Sequence, residues 1–159
     1  MKTQKGASVG KTVKLRRCYP EDSDFYYNVK KITLKEYVEK TWGVWDEDFQ
    51  RKRHKINYSP EYTQIIQYDG EDIGILVIQE ELEVLKVHNI EILPEFQNNG
   101  IGTRLLQSII HQATEKTKNI TLQVFKTNPR AQKFYQRLGF KIETENATHF
   151  LMKYTLIQK

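Results

Sequence analysis

The chain is poor in the residues that cross-link or interrupt a polypeptide. Its 159 residues contain one cysteine, Cys18. No internal disulfide can form, and a lone thiol cannot build a metal site. Cys18 reads as a small buried hydrophobe, because a catalytic thiol needs a partner histidine and none lies near it in sequence. Four prolines and eight glycines exclude a low-complexity chain. No apolar run approaches the roughly 20 residues of a membrane-spanning helix. The N-terminal lysines are not followed by the apolar segment of a signal peptide. The expectation is a soluble, cytoplasmic protein with no membrane partner.

Acidic residues are missing from the start of the chain. Lys2, Lys5, Lys11, Lys14, Arg16 and Arg17 all precede the first acid, Glu21, within a formal net charge of +5. Such an arm can attract nucleic acid or acidic lipid; the simpler reading is a solvated, frayed terminus. A general positive field also draws in the phosphates of a nucleotide cofactor.

What is present suffices for one compact core. Apolar residues make up 38% of the chain, with nine Tyr, seven Phe and two Trp among its large side chains. Residues 1–11 read as a disordered basic arm and 12–159 as a single domain. Thr12–Arg17 reads as a first strand. Pro20–Ser23 is a helix start, followed by a helical pattern to about Lys40, which Gly43 breaks. A second helix covers Asp46 to about Lys55, acids first and bases last, as the helix dipole favours. Three strands come next, at Tyr62–Tyr68, Ile73–Ile78 and Leu82–Leu93, the first two joined at the hairpin signal Asp69-Gly70. A helix from Gly102 to about Lys116, a strand Ile120–Phe125 and a helix Pro129–Leu138 succeed them. Phe140–Glu143 and Thr148–Thr155 close the chain as strands. This order predicts an α/β (α+β) fold: one mixed, mostly antiparallel sheet of six to seven strands with helices on both faces.

The loop Gln97, Asn98, Asn99, Gly100, Ile101, Gly102, Thr103 leads from a strand into an amphipathic helix. A first helical turn leaves N–H groups without internal acceptors, the dipole adds positive potential, and glycine lets a phosphate approach. A Rossmann fingerprint would place a third glycine where Leu105 stands, and a P-loop would end in Gly-Lys-Ser/Thr. Neither occurs.

The run Gln97-x-x-Gly100-x-Gly102 resembles the Q/R-x-x-G-x-G/A signature of the GNAT family of N-acetyltransferases. The strand ending Ile90, Glu91, Ile92, Leu93, Pro94 looks like that family's fourth strand. Asn128, Pro129, Ala131, Phe134, Tyr135, Leu138, Gly139 and Phe140 look like its second conserved block. The likeness extends from about Val13 to Tyr154 and implies an acetyl-CoA-dependent N-acetyltransferase. By resemblance, Gln97 through Thr103 hold the pyrophosphate, Ile92 and Leu93 line the pantetheine arm through their backbone, and Asn128 bonds it. Asn128 is also well placed to cap the helix that begins at Pro129.

Tyr135 matches the tyrosine that protonates the leaving thiolate; a phenol near 10 and a thiol near 8.5 make that exchange accessible. A protonated primary amine must also lose a proton. His88, nine residues before Gln97, stands where arylalkylamine acetyltransferases of the family carry a catalytic histidine. Glu91 is the second candidate, and a water chain or a base on the substrate the third. Ribosomal-protein N-terminal acetyltransferases carry a glutamate twelve residues before the tyrosine, where this chain has Gln123, which cannot act as a base. Leu85 and Val87 share one strand parity and Ile90 and Ile92 the other, the slip a β-bulge produces. A strand buried on both faces would read the same way. In the family, a bulge here frees an N–H for the thioester carbonyl.

Substrate choice is assigned by resemblance to the first two helices. Tyr37, Trp42, Trp45 and Phe49 lie there beside Asp46, Glu47 and Asp48. An aromatic, acidic wall suits a cationic amine; the same residues also suit a helical hairpin pinned by aromatics. His54, His111 and His149 read as surface or packing residues without metal-ligand spacing. The expected activity is acetylation of a primary amine on a small molecule or peptide. The alternatives are a CoA-binding domain without catalysis and a basic nucleic-acid-binding module, the latter disfavoured by the lack of a helix-turn-helix or RNP pattern. Family members are often dimers, so a homodimer is a further expectation of the resemblance, with no interface legible in the sequence.

Overall fold

The computed structural model of the chain describes residues 12–156; the basic arm of residues 1–11 lies outside them. The elements run β1 (Val13–Arg17), α1 (Ser23–Trp42), α2 (Glu47–Asn57), β2 (Thr63–Tyr68), β3 (Glu71–Glu80), β4 (Val84–Ile92), α3 (Ile101–Lys116), β5 (Asn119–Phe125), α4 (Pro129–Arg137), β6 (Lys141–Glu145) and β7 (His149–Tyr154). The expected order holds, with ends moved by a few residues. β3 extends past the apolar run at both ends. β4 begins later than expected because Leu82 sits, exposed, in the turn before it.

The strands form one seven-stranded sheet in the order β1-β2-β3-β4-β5-β7-β6. Neighbours are antiparallel except β4 and β5. Those two are joined by the crossover helix α3, as a parallel pair requires. Asp69 and Gly70 take positive φ of 53° and 84°, which gives the β2–β3 hairpin its tight turn.

Alternation along β2 and β3 sends neighbouring residues to opposite faces, except at Ile73, the extra residue of a bulge between Ile66↔Gly74 and Gln67↔Asp72, which leaves the face of Ile75 and Val77. Ile65, Ile75 and Val77 meet Tyr26 and Val29 of α1 on one face. Ile66, Ile73 and Leu76 meet Leu105, Leu106 and Ile109 of α3 on the other. Phe134, Tyr135 and Leu138 of α4 pack against this second cluster. The sheet is therefore covered on both sides, by α1 on one and by α3 and α4 on the other. Cys18 is buried in the α1-side cluster, its sulfur 3.2 Å from the Tyr58 hydroxyl. Burial pushes its thiol upward, which suits the packing role.

Arg16 of β1 clamps the layers from one edge. Its guanidinium donates to both oxygens of Asp22 at 3.0 and 2.9 Å and to both of Asp72 at 3.2 and 2.8 Å. It thereby joins β1, the start of α1 and β3, in the bidentate geometry that suits arginine.

β4 carries one residue more than β3. Val77 pairs with Asn89 and Ile78 with Val87, so His88 is the extra residue of a bulge. Leu85 and Val87 before it, and Ile90 and Ile92 after it, all face the α3 cluster. The parity slip in the sequence is thus a real bulge, and it turns Glu91 toward α1. Gly74 packs directly beneath this segment: a Cβ there would overlap the carbonyl of Glu91. Gly74→Ala should therefore destabilise the fold by roughly 2 kcal/mol through overpacking, read as a lowered denaturant midpoint. An unchanged midpoint would show that β4 can retreat freely.

Candidate active site

β4 and β5 pair only from Val84↔Asn119 to Val87↔Leu122. Past the bulge the two strands part, and a cleft of about 550 Å³ runs through the sheet at the split. One wall is built from the α3–α4 side, by Asn128, Ala131 and Tyr135. The other comes from α1 and α2. On α1, Tyr26, Lys30, Leu34, Val38 and Trp42 line the cleft at a repeat of four. On α2 the lining residues are Gln50, Arg53, His54 and Asn57, the i, i+3, i+4, i+7 stripe of one helical face.

Glu91 is the one carboxylate among the lining residues. Burial pushes its carboxyl up to about 7, against the opposing pull of a Thr33 hydrogen bond and the Lys30 charge. The group is half-buried and reaches the cleft while protein surrounds most of it. Tyr135 faces the same cleft, its ring edge-on to Phe134 and Phe140 at 5.3 and 5.8 Å. Burial and the nearby Glu91 push its phenol well above the ordinary value, so the hydroxyl stays protonated at neutral pH. A thiol brought into the same apolar place rises for the same reason, which keeps the two within exchange of a proton.

His88 lines the cleft at its exposed rim, bonded to Gln79 Oε1 at 3.1 Å. Burial, with Lys86 beside it, lowers its pKa. Gln123 also lines the cleft and carries no charge to offer.

The Gln97–Thr103 loop lies beyond the open end of β4. The Gln97 side chain donates to the Ile92 carbonyl at 2.8 Å, tying loop to strand. Asn98 and Gly100 take positive φ, 65° and 76°, and Asn98 Oδ1 accepts from Arg130 at 2.6 Å. Gly100 caps α3 without a side-chain hydrogen bond. The first N–H accepted within α3 is that of Arg104, by the Gly100 carbonyl. The amides of Ile101, Gly102 and Thr103 precede it and lack helical acceptors. A Cβ on Gly102 would press on Phe134 at 3.3 Å, so the start of α3 sits close against α4. Amides, dipole and glycine together form a cradle for a phosphate group. Asn128 caps α4, its Oδ1 accepting from Ala131 N at 3.1 Å. That leaves its Nδ2 without a partner among the described residues, and Asn128 lines the cleft. These features fit a pyrophosphate-bearing cofactor whose arm enters between β4 and β5.

The residues expected to choose the substrate divide. Trp42 and Trp45 line the cleft. Tyr37 does not; its carbonyl accepts from Thr41 and Thr127, which ties α1 to the loop after β5. The expected acidic wall is absent from the lining, because two of its three acids are engaged within the hairpin. Glu47 is held by Lys31, Tyr27, Trp45 and Arg51, and Lys31, then Tyr27 and Trp45, keep its carboxyl well below the ordinary range. Asp46 caps α2 through Phe49 N, and Asp48 and Phe49 are exposed away from the cleft. His111 is a surface residue paired with Glu115. His54 and His149 pack as expected but also line the cleft. Lys30 and Arg53 do not stand out in the sequence, where only the four-residue repeat from Tyr26 could have flagged Lys30. No group of three metal-ligating side chains occurs among the described residues, and none of their helices is long and apolar enough to cross a membrane.

A sheet split after a bulge, beside an amide cradle, is a layout that suits an acyl-CoA-dependent transferase. The chain belongs to the Acetyltransferase (GNAT) family, whose model matches residues 19–140. An uncharacterized N-acetyltransferase of Archaeoglobus fulgidus is 30% identical over 138 residues, which span 77% of this chain and 89% of that protein. The fold is shared with the PaiA N-acetyltransferase of Thermoplasma acidophilum, solved in complex with coenzyme A, at a TM-score of 0.74 and 19% identity over 91% of this chain and 99% of that one. A GNAT family acetyltransferase of Elizabethkingia anophelis with acetyl-CoA bound aligns at 0.61 and 19% identity, over 92% and 99%.

Glu91 has a folded-state pKa above its unfolded value. The neutral form is tolerated at low pH, and stability is lost as pH rises through about 7. Glu91→Gln should match the wild-type Tm near about pH 5 and exceed it near about pH 8. A gap that does not change with pH would contradict a carboxyl whose burial outweighs Thr33 and Lys30.

Proposed function

We propose that the chain is an N-acetyltransferase that moves an acetyl group from acetyl-CoA to a primary amine of a small molecule or peptide. One observation carries this reading: the split between β4 and β5 sets Glu91 and Tyr135 in the lining of a single cleft. Acetyl-CoA is the cofactor, and when bound it supplies an acetyl thioester as electrophile. The amides of Ile101–Thr103 and the loop from Gln97 hold the pyrophosphate. Ile92 and Leu93, with Asn128 Nδ2, receive the arm.

Glu91 is the general base. With a pKa of about 7 it is substantially ionised at neutral pH and basic enough to take a proton from an ammonium group. Tyr135 gives its hydroxyl proton to the sulfur as the C–S bond breaks and the C–N bond forms. The ammonium nitrogen loses two protons in all. One leaves to solvent through Glu91, and the other restores the phenol. The bulge at His88 leaves the β4 edge beyond Val87 without a strand partner on that side, so its backbone N–H groups can polarise the carbonyl oxygen. His88 supports a second reading as base, because it lines the same cleft. It is less suited, since burial lowers its pKa and its ring is engaged with Gln79.

Acetyl-CoA at about 1 mM should raise the Tm by mass action; no shift would overturn the cofactor assignment. Thiol release with an amine panel then tests transfer. Glu91→Gln should lower kcat by about 100-fold or more and remove an ascending limb of kcat/KM near pH 7. A limb below 6.5 that vanishes in His88→Ala instead would assign the base to His88. Tyr135→Phe should lower kcat by about tenfold or more while keeping the acetyl-CoA shift in Tm; unchanged turnover would remove the acid role.

A further inference from the structure

Two cations in the cleft have no role in the transfer step proposed above. Lys30 and Arg53 both line its α1–α2 wall. Neither makes an ion pair or side-chain hydrogen bond among the described residues; their contacts are with aromatic rings. Lys30 Nζ lies 5.7 Å from the centroid of Tyr26, and Arg53 Cζ lies 5.9 Å from that of Phe49. Of the carboxylates at the start of α2, Glu47 is engaged by Lys31 and Arg51 and Asp46 by the helix cap, and Asp48 is exposed and does not line the cleft. Glu91 is again the one carboxylate in the lining. On the acceptor side the cleft thus offers two fixed positive charges and one negative.

We propose, resting on the acetyl-transfer reading, that Lys30 and Arg53 form an anion-recognition site, so that the amine acetylated carries a carboxylate or phosphate close to its amino group. The positions are set by the helix faces. Lys30 belongs to the four-residue repeat of α1 and Arg53 to the facing stripe of α2, so both border one cleft, Lys30 half-buried and Arg53 at its exposed rim beside Phe49. They sense each other: burial first, and then the charge of Arg53, lower the Lys30 ammonium, while Glu91 opposes them. Two like charges bordering one cleft, with Glu91 the one carboxylate there to offset them, carry a cost in the free protein. An incoming anion relieves that cost, and the guanidinium can meet carboxylate or phosphate with two parallel hydrogen bonds. A zwitterionic acceptor complements the whole wall, its ammonium toward Glu91 and its anion toward Lys30 and Arg53. A polyamine or a lysine-rich peptide would instead bring further positive charge to a wall that already carries two, and like-charge contact excludes such partners.

The test uses matched acceptors that differ only in the anion. 4-Aminobutyrate is set against 4-aminobutanamide, phosphoethanolamine against ethanolamine, and a peptide with aspartate at its second position against the same peptide with asparagine. The expected result is a preference for the anionic member of at least one pair by roughly ten- to a hundredfold in kcat/KM, the worth of one or two charge-assisted hydrogen bonds. The pair that responds says whether the anion is a small-molecule carboxylate, a phosphate or a peptide side chain. In Lys30→Met the ratio should fall toward one, and in Arg53→Glu it should invert; because it is a ratio, losses common to both members cancel. Turnover with equal or reversed preference in all pairs would overturn the anion site and leave the transferase reading standing. A binding arm needs no turnover. With coenzyme A present, titration of N-acetyl-4-aminobutyrate and its amide is followed by the fluorescence of Trp42 and Trp45, the chain's two tryptophans and both in the cleft wall. Tighter binding of the carboxylate that is lost in Lys30→Met supports the site even if no amine in the panel is acetylated, an outcome that would count against the transferase reading alone. Equal affinities would sink the anion site by this route too.

Discussion

One extra residue in β4 governs the layout of the cleft and the chemistry it can hold. The bulge at His88 reverses the side-chain parity of the strand while keeping its apolar residues on the α3 face. Pairing with β5 ends at Val87, one residue before it. Without the bulge, Glu91 would share the parity of Leu85 and Val87 and point into the α3 core, where an ionised carboxyl could not be tolerated. With it, Glu91 faces α1 and borders a gap in the sheet. The open backbone edges at this gap carry a cost that a closed sheet would avoid. The two hydrophobic clusters and the Arg16 clamp hold the surrounding layers in place around the opening.

Electrostatics in the gap depend on where the helices place their acids. The first turn of α2 is rich in carboxylates, yet its two engaged acids complete a cap and an ion-pair cluster inside the α1–α2 hairpin. That leaves the cleft with a single carboxyl, raised to about 7, and with two cations. A wall that looks acidic in linear order is basic in space. The same partial burial that raises Glu91 keeps Tyr135 protonated, the two states that the proposed base and acid require. Such a volume costs stability and provides reactivity, a trade commonly found at functional sites.

Strong periodicities were legible in the sequence by themselves. The order of strands and helices, the Asp69-Gly70 hairpin, the glycine-bearing entrance to α3, the Asn128 cap and the parity slip at His88 all depend on contacts between residues close along the chain, so local pattern suffices to read them. The family resemblance carried by Gln97, Gly100, Gly102 and the Asn128–Phe140 block agrees with that order. What only the tertiary structure decided is which side chains share the cleft. Tyr37, next to Val38 in the chain, does not line it, while Lys30, Arg53 and His54, unremarkable in linear order, converge on it. Whether Glu47 faces a substrate or its own helix pair depends on Tyr27, Lys31 and Arg51. The sign of charge in the cleft is a sum over residues far apart in sequence, and only the packing of α1 and α2 across the split sheet determines which charges enter that sum.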